Sequence, residues 1–102
     1  MIVRQGDLLL RKVSKLPRRA KNVKSDVILE GEATGHAHRI MNGEIFRFWL
    51  ETSGNQLFVK ADKGAMLVHE EHASIDLEAG VYEVIRQREY DPDTETTQWV
   101  MD

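Results

Sequence analysis

The sequence predicts an all-β protein, a single small β-barrel or sandwich of about eight short strands. Three observations predict it. Short apolar or alternating runs follow one another along the 102 residues, and turn signals containing Gly, Asn or Pro separate them. No run repeats its apolar residues at helical spacing over a useful length. A chain of this size has room for one hydrophobic core. Residues 1–102 therefore read as one domain with a basic N-terminal segment over 1–24.

The elements follow in order. Residues 7–13 form an apolar run entered from Gly6. Pro17 interrupts regular structure across 16–22, because it lacks an amide donor and fixes its own φ. A short helix has room only within 11–25. Residues 27–30 read as a strand stopped near Gly31, and 32–41 as a strand carrying Gly35. Asn42-Gly43 predicts a hairpin turn, since both residues tolerate the positive φ of a type I′ turn, with 44–50 returning. Ser53-Gly54-Asn55 predicts a second turn before 56–60, and Asp62-Lys63-Gly64 a third before 65–69. Residues 81–90 alternate in places like a half-buried strand, Asp91-Pro92-Asp93 ends it, and 96–100 reads as a closing edge strand. Phe46, Phe48, Trp49 and Tyr82 read as core or barrel-lining residues.

Composition narrows the function. The chain is 41% hydrophobic and 30% charged, a globular balance. It contains no cysteine, so any metal must be held by nitrogen and oxygen ligands. No apolar run has the length of a membrane span, and residues 1–6 lack the apolar stretch of a signal peptide. These features predict a cytoplasmic protein with no membrane partner. The net charge of −3 is unevenly placed: residues 1–24 hold Arg4, Arg11, Lys12, Lys15, Arg18, Arg19, Lys21 and Lys24 against Asp7 alone. A basic arm on an acidic body suits a phosphate-binding surface, a nucleic-acid contact or an intramolecular clamp. The same stretch contains no Phe, Tyr or Trp, the side chains on which single-stranded nucleic acid stacks.

All four histidines fall in two tight groups, His36-Ala37-His38 and His69-Glu70-Glu71-His72. On a strand, side chains two apart share a face, so His36 and His38 project together with Thr34. His69 ends an apolar strand, and His72 follows where the chain turns. If the pairs meet, His36, His38, His69 and His72 form a site for one divalent transition metal, with Zn, Fe, Ni and Mn all compatible with imidazole and carboxylate. Glu44, Glu70 and Glu71 are the candidate catalytic carboxylates, as ligand, as orienter of a ligand histidine or as general base. Arg86 and Arg88, two apart, are candidate substrate-binding residues for a phosphate or carboxylate, with Thr34 beside the first histidine pair.

The run Gly31-Glu-Ala-Thr-Gly-His-Ala-His38, with Glu44 and His69 after it, resembles the metal-binding pattern of the cupin superfamily. The resemblance implies a β-barrel with His36, His38, Glu44 and His69 around one ion, and His72 as an extra or substitute ligand. This sequence departs from that pattern in the spacing from His38 to Glu44 and in lacking the proline-containing second motif. Residues 31–38, His69-Glu-Glu-His72 and Arg86-Gln-Arg-Glu-Tyr90 are together similar to a group of small uncharacterised bacterial and phage proteins, a likeness that implies no activity.

Three functions follow as expectations. The first is a metal-binding protein, with metal-assisted hydrolysis or isomerisation of a small polar or phosphorylated substrate as its chemistry. The second is a metal-free, histidine-based nuclease or nucleotide-processing enzyme. The third is a non-catalytic accessory module that binds nucleic acid or a protein partner through Arg18, Arg19 and Lys21. A homodimer through an edge strand is compatible with each.

Overall fold

The computed structural model describes residues 1–30, 35–52, 54–86, 90–91 and 96–97, with the backbone alone at 86, 90–91 and 96–97. Among the described residues there is no helix. The strands are β1 (Ile2–Gln5), β2 (Leu8–Val13), β3 (Lys21–Val23), β4 (Val27–Glu30), β5 (Ala37–Leu50), β6 (Gly54–Val68), β7 (Ile75–Leu77), β8 (Gly80–Arg86), β9 (Tyr90–Asp91) and β10 (Thr96–Thr97). The first eight form one antiparallel sheet in the order β1-β2-β8-β6-β5-β3, with β4 added to β5 and β7 to β6. The all-β expectation of about eight strands is met. The sheet is not closed into a barrel: β1 and β3 are its two ends. Residues 96–97 pair with 90–91 as a separate two-stranded ribbon.

Two strands, β5 and β6, run for 14 and 15 residues, and their bend shapes the molecule. Asn42-Gly43 and Asp62-Lys63-Gly64 do not reverse the chain as the sequence suggested; both lie inside these strands. Met41 pairs with Met66 and the next pair is Gly43 with Ala61, so Asn42 stands opposite residues 62–65. Asn42 takes a φ of 58° and Gly64 of 82°, and Asn42 Nδ2 donates to the Gly64 carbonyl at 3.1 Å. At Gly43 a Cβ would sit 2.7 Å from Ile40 Cγ1 and 2.8 Å from the Lys60 carbonyl oxygen, so only glycine fits. Two turn signals combine into one corner, a large bulge that bends the paired strands. The reversal comes at the tip, where Leu50 pairs with Gly54.

The bend lets opposite ends of the hairpin take different partners. Between the corner and the open end of the hairpin, β5 carries β4 and β6 carries β7; between the corner and the tip, β5 carries β3 and β6 carries β8. The core is built from β2, β4, β5, β6, β7 and β8. Leu8, Leu10, Ile28, Ile40, Ile45, Val59, Leu67 and Tyr82 are buried there, each aliphatic side chain contributing about 1.5–3 kcal/mol. Tyr82 is fully buried, as the sequence suggested, and its hydroxyl donates to the Glu78 carbonyl at 2.7 Å. Trp49 is not core. It lies near the hairpin tip and is 64% exposed.

Candidate functional site

The two histidine pairs meet. His36 precedes β5, His38 is its second residue, His69 follows β6, and His72 lies in the bend beyond. Ring centroids of His38 and His69 are 4.4 Å apart, His69 and His72 4.7 Å, His36 and His69 5.8 Å, and His38 and His72 6.1 Å. Pairing of Arg39 with Val68 brings the start of β5 beside the end of β6, which is why segments more than thirty residues apart converge.

Sequence reasoning missed two residues that organise the cluster, Gln5 and Asp7. The β1–β2 hairpin, in which Gln5 pairs with Leu8 across Gly6 and Asp7, presents both to the histidines. Gln5 is 3% exposed. Its Nε2 donates to the carbonyls of Leu67 and Ala73 at 3.2 and 2.9 Å, which leaves its oxygen to accept from His38 Nδ1 at 2.9 Å. His38 therefore carries a proton on Nδ1, and in its neutral form the Nε2 lone pair is free. Burial is the largest influence on this ring and lowers its pKa; the hydrogen bond that the charged ring donates from Nε2 to Asp7 opposes that, and the neighbouring His69 and His72 reinforce it.

His38 Nε2 faces Asp7 Oδ1 at 3.3 Å. That is long for a charge-assisted hydrogen bond. Two ligands on one tetrahedral ion, each at about 2.1 Å, stand about 3.3–3.4 Å apart, and imidazole rings sharing such an ion have centroids about 5 Å apart. Gly6 completes this side. Its φ is +61°, and a Cβ there would lie 2.6 Å from His72 Nε2, so His72 rests on a position that a side chain would fill.

The carboxylates divide by role. Glu70 accepts from the Ala37 amide at 2.8 Å and from Arg39 Nη1 at 2.7 Å. These bonds tie the bend to the start of β5, and with the Glu70 amide they hold its carboxyl down at about 2, a poor proton acceptor. Glu71 is exposed and stands 3.5 Å from His36 Nδ1. Its amide donates to His69 Nδ1 at 3.0 Å, which places the proton of neutral His69 on Nε2. To ligate through Nε2 this ring must surrender the amide bond. Among the described residues, no group of three or more His, Cys, Asp or Glu is already arranged to hold an ion; His38 and Asp7 are preset, and His69 is not.

Of the other expected residues, Glu44 lies elsewhere. Glu44 is not brought to the cluster: it follows the corner, pairs with Lys60, and accepts from Asn22 Nδ2 at 2.9 Å. Gly35 takes a φ of +82°, and among the described residues nothing lies within 4 Å of a Cβ there. Arg86 pairs with Leu8 in β8. Thr34 and Arg88 lie outside the described residues. A cavity of about 750 Å³ is lined by Val23, Val27, Arg47, Leu57 and Val84 among others, not by the histidines.

A family profile described as "Domain of unknown function (DUF8820)" matches residues 4–87. The chain belongs to that family. The matched region takes in the whole cluster, from Gln5 to His72. No curated protein and no solved structure matches the chain. No helix among the described residues is long and apolar enough to cross a membrane.

Proposed function

We propose that the protein binds one divalent transition-metal ion, Zn, Fe, Ni or Mn, with His38 Nε2 and the Asp7 carboxylate as its first ligands. His36, His69 and His72 complete the shell. The observation that supports this most is the His38–Asp7 separation of 3.3 Å, with the rings of His69 and His72 within 6.1 Å of that of His38. Gln5 plays the orienting part, since a ligand histidine is generally fixed by a hydrogen bond at its other nitrogen. The ligand set keeps three histidines of the cupin resemblance and puts Asp7 in place of Glu44.

The ion would supply a Lewis acid beside an exposed carboxylate, Glu71, which is free to act as a base where Glu70 is not. Metal-assisted hydrolysis or isomerisation of a small polar or phosphorylated substrate uses that pair. A metal-free reading has its own support in two histidine–carboxylate pairs, His38–Asp7 and His36–Glu71, of which the first has a buried imidazole and the second a partly exposed one. Phosphodiester cleavage that survives chelation and is lost in His36→Gln would favour it.

The test uses untagged protein stripped with chelator. Thermal unfolding with Zn, Ni, Mn or Fe added should rise for at least one ion, and Asp7→Asn and His38→Ala should abolish the rise. No shift with any of the four removes the metal reading.

A further inference from the structure

Beyond the corner, at the other end of the β5–β6 hairpin, Arg19, Lys21, Arg47, Phe48, Trp49 and Asn55 line a shallow cavity of about 340 Å³. The sequence placed no aromatic within the basic N-terminal segment. Strand pairing supplies it, because β3 sets Lys21 against Arg47 and Trp49 follows Arg47 on the same face. Asn55 pairs with Trp49 across the hairpin.

Two features of this surface are costly in isolation. Lys21 and Arg47 stand directly opposite each other, and like charges so placed destabilise a strand pair. No acidic residue lines the cavity, and among the described residues none of Arg19, Lys21 and Arg47 forms an ion pair. Trp49 adds a large indole that is 64% exposed on an end strand's neighbour. A polyanion offsets the first cost and a planar ring the second. The cavity is open, and Arg47 and Asn55 also line the adjoining 750 Å³ cavity, so the surface continues as a trough whose far part carries Glu30 and Glu83, the latter paired with Arg11. A trough suits a strand of linked units better than a single enclosed nucleotide.

We propose that this trough binds single-stranded nucleic acid, with Trp49 stacking on a base and Arg19, Lys21 and Arg47 holding flanking phosphates. The proposal is independent of the metal reading. Cations that track the backbone and an aromatic platform that accepts any base are the two parts such binding needs.

Fluorescence anisotropy of the full chain with labelled oligothymidylate and oligouridylate, titrated with salt, tests it. Binding should weaken as salt rises, and Arg47→Ala or Lys21→Ala should each flatten the log–log slope by about 0.7. Trp49→Ala should weaken binding about tenfold, with Trp49→Phe retaining most of it. Lys63→Ala, an exposed cation at the corner that lines neither cavity, should bind as the parent does. Absence of binding to both oligonucleotides at low salt overturns the proposal. So does equal affinity for duplex or for a mononucleotide, or an unchanged affinity in Trp49→Ala with its fold intact by circular dichroism.

Discussion

Gln5 and His38 stand 33 residues apart in sequence and share a 2.9 Å hydrogen bond with both side chains buried. The bond decides the chemistry of the ring. Gln5 nitrogen already serves two carbonyls, so its oxygen must face His38, and the imidazole lone pair turns toward Asp7. A hairpin turn thereby controls which nitrogen of a distant histidine is available.

Gln5→Ala should break that control. It strands the His38 Nδ1 proton and the Leu67 and Ala73 carbonyls, costing about 1–3 kcal/mol where they stay unpaired. Urea unfolding measures this. Metal affinity should fall about 10–100-fold with it, and affinity equal to the parent's would deny Gln5 an orienting role.

Gly6→Ala and Gly35→Ala form a matched pair. Both replace a glycine at positive φ, at about 1–2 kcal/mol each. Only Gly6→Ala puts a methyl group against His72. The imidazole resonances of His72 should shift in the first variant and stay put in the second; equal responses would show that His72 does not rest on Gly6.

Acid stability should carry the mark of Glu70. Its carboxyl titrates at about 2 when folded and near 4.5 when released, so the unfolded chain takes up the proton first. The contribution is complete above about 4.5 and is lost as pH falls through about 2. Glu70→Gln should flatten this limb in pH-dependent thermal unfolding, and an unaltered limb would mean that the Ala37 and Arg39 bonds do not hold the bend.

His38 should act in a higher window in the metal-free protein. Its folded pKa lies below 6.5, so again the unfolded chain binds the proton first. Stability is full above about 6.5 and declines as pH falls below it. Proton NMR should place the His38 midpoint under 6.5; a midpoint above it would contradict the buried neutral ring.

The histidine convergence was legible because both pairs flank apolar strands, and neighbouring strand ends bring such flanks together. Gln5 and Asp7 were not, since they reach the cluster through a turn whose only local signal is Gly6. Asn42-Gly43 was half legible as backbone chemistry and misleading as topology: Asn42 takes the positive φ and Gly43 does not, positive φ serves a reversal and a bulge equally, and only the pairing of Met41 with Met66 tells them apart. That error also cost Glu44, which the corner carries away from the histidines. Trp49 reads as core because it sits in an alternating strand, yet that strand runs five residues past Ile45, its last buried residue.

The central claim is most directly tested by native mass spectrometry of untagged protein, as purified and after reconstitution with Zn, Fe, Ni or Mn. One ion per chain in the parent, and none in an Asp7→Asn, His38→Ala double variant that still folds, is the predicted result. A folded parent that takes up no ion, or a double variant that retains one, would contradict it.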